Sequence, residues 1–176
     1  MESWRNNVVR ASLFFILLLA PILAEQQICF KEGPYIDKEA GVGFSNFSVS
    51  GPHEIPQEGD TLHISYSFFV GKEPIQLHPD YGIFVGVIDP QQESRDFGYS
   101  YQGQLLKPGS ELVFTGSLSL DKVGSWVVWP DFYLGKTRHG YWEGCEFLVE
   151  ERDSDEDGVP DSVDNCPAHY NGQQED

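Results

Sequence analysis

The sequence predicts an all-β fold: an antiparallel sandwich of about seven strands, followed by an irregular acidic segment. Three observations carry this. Apolar and polar residues alternate with a period of two from residue 44 onward, helical spacing is nowhere sustained, and glycine or proline punctuates the runs.

The first 24 residues have the three parts of a secretory signal. Arg5 and Arg10 make a positive opening, residues 11–19 are an apolar run, and a small-residue stretch ends at Ala24, where cleavage is expected. The apolar run falls short of the ~20 residues that a membrane-spanning helix needs. Residues 25–151 are about the size of one ordinary domain and are expected to form the sandwich, leaving 152–176 as a separate segment.

Within that domain the first strand is expected around Phe47 and Val49, which alternate with Asn46, Ser48 and Ser50 before Gly51 and Pro52 end the run. The clearest strand is 61–70. Leu62, Ile64, Tyr66, Phe68 and Val70 share one face, and Thr61, His63, Ser65 and Ser67 share the other. Residues 82–88 are apolar on both parities, as a central strand would be. Further strands are expected at 97–102, with Tyr99 and Tyr101 on one face, and at 112–120, where Leu112, Phe114, Leu118 and Leu120 alternate with Val113, Thr115, Ser117 and Ser119. Two more are expected at 124–129 and 141–149. Trp126 and Trp129 are three apart and so face opposite sides, which puts at most one of them in the core of a half-buried sheet. About seven short strands of this kind suggest an immunoglobulin-like sandwich, with a jelly roll as the next candidate.

In an oxidising compartment Cys29 and Cys145, near the two ends of the domain, make a sensible disulfide pair and leave Cys166 over. A free thiol, a bond to a second chain or a continuation beyond the sequence would each explain Cys166. Asn46-Phe47-Ser48 is a glycosylation sequon on a face expected to be wet.

Charge narrows the partners. Without residues 1–24 the chain has 28 − 1 = 27 acidic and 11 − 2 = 9 basic residues, a net charge of −18. Nucleic acid and anionic membrane surfaces are poor partners for such a field. From Glu143 to the end there are 12 acidic residues, opposed by Arg152 alone, so cations are the natural counterpart.

Those acidic residues are spaced, not merely numerous. Counting Asp153 as position 1, carboxylates recur at positions 1 (Asp153), 3 (Asp155), 5 (Asp157), 9 (Asp161) and 12 (Asp164), with Gly158 at position 6. This is the order in which a twelve-residue loop wraps a hard cation, and the carbonyl of Val159 at position 7 completes the expected ligand set. The expected ion is Ca²⁺, which accepts six to eight oxygens in flexible geometry and converts the mutual repulsion of the carboxylates into coordination. An EF-hand would place a bidentate Glu at position 12 and continue into a helix. Here Asp164 is followed by Asn165, Cys166 and Pro167, through which a helix does not run. The pattern DxDxDGxxDxxDNCP resembles the thrombospondin type 3 repeat, an extracellular calcium module with little regular secondary structure. Asn171, Gln174 and Asp176 also fall at that family's spacings. The resemblance covers 153–176 and implies an extracellular protein, with adhesion as the implied role.

No motif for catalysis appears. The five histidines lack metal-site spacing, and GxSxG, HExxH and phosphate-loop patterns are absent from the sequence. The expected function is therefore a secreted or cell-surface, non-enzymatic calcium-binding protein. A carbohydrate-binding sandwich with exposed Trp and Tyr rings is the main alternative, and a secreted hydrolase with two carboxylates in one cleft comes after it.

Overall fold

The computed structural model describes residues 25–140 and 144–175. The expected signal segment 1–24, the start of the expected last strand and Asp176 lie outside the described residues. The described chain has strands β1 (Gln26–Lys31), β2 (Tyr35–Asp37), β3 (Val42–Gly51), β4 (Thr61–Val70), β5 (Ile75–Gln76), β6 (Ile83–Ile88), β7 (Ser94–Ser100), β8 (Leu105–Leu106), β9 (Glu111–Ser119), β10 (Gly124–Leu134), β11 (Thr137–Gly140) and β12 (Cys145–Val149). They form two main antiparallel sheets. One runs β1-β3-β4-β9, with β2 following β1 along the same edge of β3. The other runs β10-β6-β7, with β11 and β12 sharing the free edge of β10. β5 and β8 make a small separate ribbon.

The alternation in β4 is realised as expected: Leu62, Ile64, Tyr66, Phe68 and Val70 are all buried. Tyr66 takes its hydroxyl into the core and donates to the Phe84 carbonyl at 2.7 Å, joining the two sheets. Burial pushes its phenol well above the usual range. β3 departs from strict alternation, because both Phe44 and Phe47 are buried although they are three apart. The register slips between Ser45 and Ser48, and Asn46 takes a φ of 53° there, a left-handed conformation that asparagine tolerates better than most residues. This bulge turns both rings inward and leaves the Asn46 side chain exposed.

In β10 the two tryptophans face opposite sides, as expected, with Trp126 alone in the core cluster, yet both rings are buried. Trp126 faces the core with Val128 and Phe132, whereas Trp129 lies on the outer face of its sheet. It fits there because Gly86, opposite it on β6, has no side chain, and a Cβ at that position would run into the indole ring. The Trp129 Nε1–H donates to Asp131 at 2.9 Å. Asp131 is buried, and this raises its carboxyl above the ordinary range against the opposing pull of Arg138, which is bonded to it at 2.6 Å and to Asp96 at 2.8 Å. Gly86→Ala is expected to displace the indole and cost about 1–3 kcal/mol, read as a lower urea midpoint.

β7 supplies a correction. It ends at Ser100, and Tyr101 has a φ of 58°, so the Tyr99 and Tyr101 rings do not share a face. Tyr99 joins the outer aromatic face, while Tyr101 packs against the core and donates to the Val113 carbonyl on β9.

The sandwich is closed at its two edges. Cys29 on β1 and Cys145 on β12 form the expected disulfide, with Cα atoms 6.1 Å apart. At the opposite edge, the Tyr101–Val113 bond and the Arg95–Asp121 ion pair link β7 and its following turn to β9 and the turn after it. The layering is that of a sandwich, but β3 and β4 are adjacent in one sheet, whereas the constant-type immunoglobulin order places its third strand in the opposite sheet.

Asp89 organises the turn between β6 and β7. Its carboxylate accepts from the Lys122 ammonium and from the Gln91 and Glu93 N–H groups, which hold it below the usual carboxylate range. A depressed carboxyl contributes stability above the unfolded pKa of about 3.9, and that contribution is lost as pH falls through the lower folded value. Asp89→Asn should therefore lower the urea midpoint at neutral pH, and the difference from the parent should shrink in strong acid.

Candidate metal centre

The acidic segment leaves the sandwich directly from β12. Before it does so, Glu150 donates its N–H to the Pro56 carbonyl and accepts from the Glu58 N–H, both at 2.9 Å. The loop is thus anchored on the turn that precedes β4. Gln57 of that turn accepts from the Asp153 N–H at 3.4 Å, and a Cβ on Gly59 would approach the Arg152 guanidinium.

The loop then folds through its own carboxylates. Asp153 Oδ2 accepts from the Gly158 N–H at 2.9 Å, and Asp157 Oδ1 accepts from the Val159 N–H at 2.8 Å. Gly158 has a φ of +91°, which is why glycine is required at position 6. Asp164 Oδ1 accepts from the Cys166 N–H at 2.8 Å, and the Asp155 carboxylate receives the Asp157 N–H at 3.3 Å.

This shaping uses one oxygen of each of Asp153, Asp155 and Asp164. Their other oxygens, Asp153 Oδ1, Asp155 Oδ2 and Asp164 Oδ2, are buried and have no hydrogen-bond partner. Oxygens of Asp153, Asp155 and Asp157 lie within 4.8 Å of one another. Buried carboxylate oxygens without donors are costly, and like charges this close raise the cost further. Burial, followed by the charges of Asp157, Asp164 and Asp153, pushes the Asp155 carboxyl above its ordinary range. The donor set is all oxygen and anionic, which fits a hard divalent cation and suits Ca²⁺.

Asp161 is placed differently from Asp153, Asp155 and Asp164. Its two oxygens accept from the Ser154 N–H at 2.8 Å and the Ser154 hydroxyl at 2.7 Å. These bonds, with the Arg152 charge, hold its carboxyl below the ordinary range. Asp155 and Asp161 are thus shifted in opposite directions within one loop. The first is buried among like charges, and the second is held by its donors and the Arg152 charge.

The residues after the Asn-Cys-Pro sequence return to the same carboxylates. The Asn171 N–H donates to Asp157 Oδ2 at 2.9 Å, and Gln174 Nε2 donates to Asp164 Oδ1 at 2.9 Å while its Oε1 accepts from the Asn165 N–H. Gly172 lets the tail lie against the Asp157 carbonyl, where a Cβ would clash. Gln57 and Arg152 are contributions that sequence reading missed. A turn residue nearly 100 positions away carries no local signal for a loop it supports.

The family model of the thrombospondin type 3 repeat matches residues 144–174, so this segment is similar to that repeat. The match starts ahead of the acidic loop and takes in β12, the last described strand of the sandwich, but none of the strands before it. No curated protein matches the chain. Among solved structures, the chain is similar to the C-terminal domain of wzt, at 8% identity and a TM-score of 0.51 over 70% of this chain and 81% of that one. At that identity the likeness concerns the fold alone. The Bacillus subtilis sporulation control protein Spo0M aligns over 66% of this chain and 52% of its own at 14% identity, with a TM-score of 0.42 that carries no argument. Cys166 of the repeat is exposed and unbonded. Among the described residues no helix is long and apolar enough to cross a membrane.

Proposed function

We propose that this is an exported, non-enzymatic calcium-binding protein in which one Ca²⁺ orders the C-terminal repeat against the sandwich. Residues 1–24 serve as the signal, 25–151 as the sandwich domain and 152–176 as the calcium segment. The single observation behind the reading is the set of three buried, donorless carboxylate oxygens on Asp153, Asp155 and Asp164. Asp157 and the Val159 carbonyl complete the ligand set, and Asp161 braces Ser154 at the mouth of the loop. The ion supplies positive charge at the centre of the cluster. The chain's own residues set the carboxylate positions and tie the loop to the turn before β4.

The consequence is mechanical. A loop held by a cation transmits the orientation of β12 to whatever follows, which suits an adhesion or interaction role. Extracellular modules work with dissociation constants of about 10⁻⁴–10⁻³ M, and a tenfold excess of calcium over such a constant stabilises the bound form by about 1.4 kcal/mol. The exposed Asn46 sequon fits export. Limited proteolysis tests this reading: in millimolar calcium, residues beyond Glu150 should resist cleavage, and chelation should expose them while the sandwich stays intact. Equal cleavage in both conditions would contradict it.

A further inference from the structure

We propose that the outer face of the β10-β6-β7 sheet binds a neutral polysaccharide. Tyr81, Tyr99 and Tyr133 form one continuous aromatic surface there, with Tyr81 4.8 Å from Tyr133 and 5.5 Å from Tyr99, centroid to centroid. Buried Phe84 is its floor, 5.2 Å from Tyr99 and 5.7 Å from Tyr133. Tyr81 and Tyr99 are 38% and 39% exposed, and none of the three hydroxyls bonds to another described residue. A core-filling role does not account for rings that β7, β10 and the turn before β6 hold away from the core and leave open. Tyrosine combines an apolar face with a polar tip and suits surfaces that must be both.

The chemistry of the surroundings selects the ligand. Arg138 lies over the Phe84 ring at 5.4 Å and is paired with both Asp131 and Asp96, so its charge is fully opposed and the platform offers no net positive charge to an anionic polymer. The chain as a whole has a net charge of −17, which disfavours anionic polymers. A sheet face lined by rings in this way is an open platform, matched to the flat C–H face of a neutral sugar chain, while the tyrosine hydroxyls and the Arg138–Asp96 pair meet its hydroxyls. None of these residues belongs to the calcium loop.

The test is affinity electrophoresis of the full mature protein in gels containing laminarin, xyloglucan, galactomannan, dextran or alginate. Retardation by at least one of the four neutral polymers is expected, weakened roughly tenfold by Tyr99→Ala and by Tyr81→Ala. Tyr99→Phe, which keeps the ring, should retain most of the binding. Unchanged thermal melting shows that each variant is folded, and the result should be the same with calcium or with chelator. No retardation by any neutral polymer overturns the proposal, as does retardation by alginate alone or retardation that both alanine variants preserve. Sedimentation showing a dimer that Tyr99→Ala dissolves, without any glycan retention, would give the face to a second copy and equally overturn it.

Discussion

Replacing Asp155 or Asp164 by alanine is expected to weaken calcium binding by ~100-fold, about 2.7 kcal/mol, in a calorimetric titration. Each substitution removes a carboxylate with one oxygen committed to the loop backbone and the other buried without a donor. The expected effect on the sandwich is small, because the core residues all lie in the body and these side chains touch the loop and its tail. Asp161→Asn gives the contrast. Its partner is Ser154, an amide oxygen can still accept from that residue, and affinity should change only a few-fold. If Asp161→Asn abolished binding while Asp155→Ala did not, the assignment of roles within the loop would be wrong.

Removing the disulfide is the second large effect. Cys29→Ser together with Cys145→Ser is expected to lower stability by about 2–5 kcal/mol, seen as a reduced urea midpoint with the β-sheet spectrum intact at low denaturant. The bridge joins residues 116 positions apart, for which the chain-entropy argument gives roughly 4–5 kcal/mol as an upper figure. Its location matters as much as its length. It joins β1 and β12, the edge strands of opposite sheets, and the loop leaves from β12. A midpoint that did not move would show that packing alone holds that edge.

Much of this was legible in the sequence where local pattern decides structure. The alternation of Leu62, Ile64, Tyr66, Phe68 and Val70 gave β4 its limits and its inward face, because a period of two has one physical reading in a half-buried strand. The pairing of Cys29 with Cys145 followed from compartment and position. The spacing of the aspartates with Gly158 pointed to the loop, since a tight turn around a cation leaves little freedom in where oxygens must fall.

What escaped the sequence was set by partners far along the chain. Trp129 is buried on the outer face because Gly86 makes room for it and Arg138 lies against it, and neither neighbour follows from the three-residue spacing to Trp126. Tyr101 leaves the face of Tyr99 because its backbone turns left-handed after β7. β5, β8 and β11 are too short to show a period. In the loop, spacing alone does not show the hydrogen bonds from Ser154 to Asp161, which depend on how the chain closes.

The most direct test is diffraction from crystals of the mature protein grown in calcium, with anomalous scattering used to locate the ion. The account predicts one strong peak about 2.3–2.6 Å from carboxylate oxygens of Asp153, Asp155, Asp157 and Asp164 and from the Val159 carbonyl. A map without such a peak, with those carboxylates turned to solvent, would contradict it.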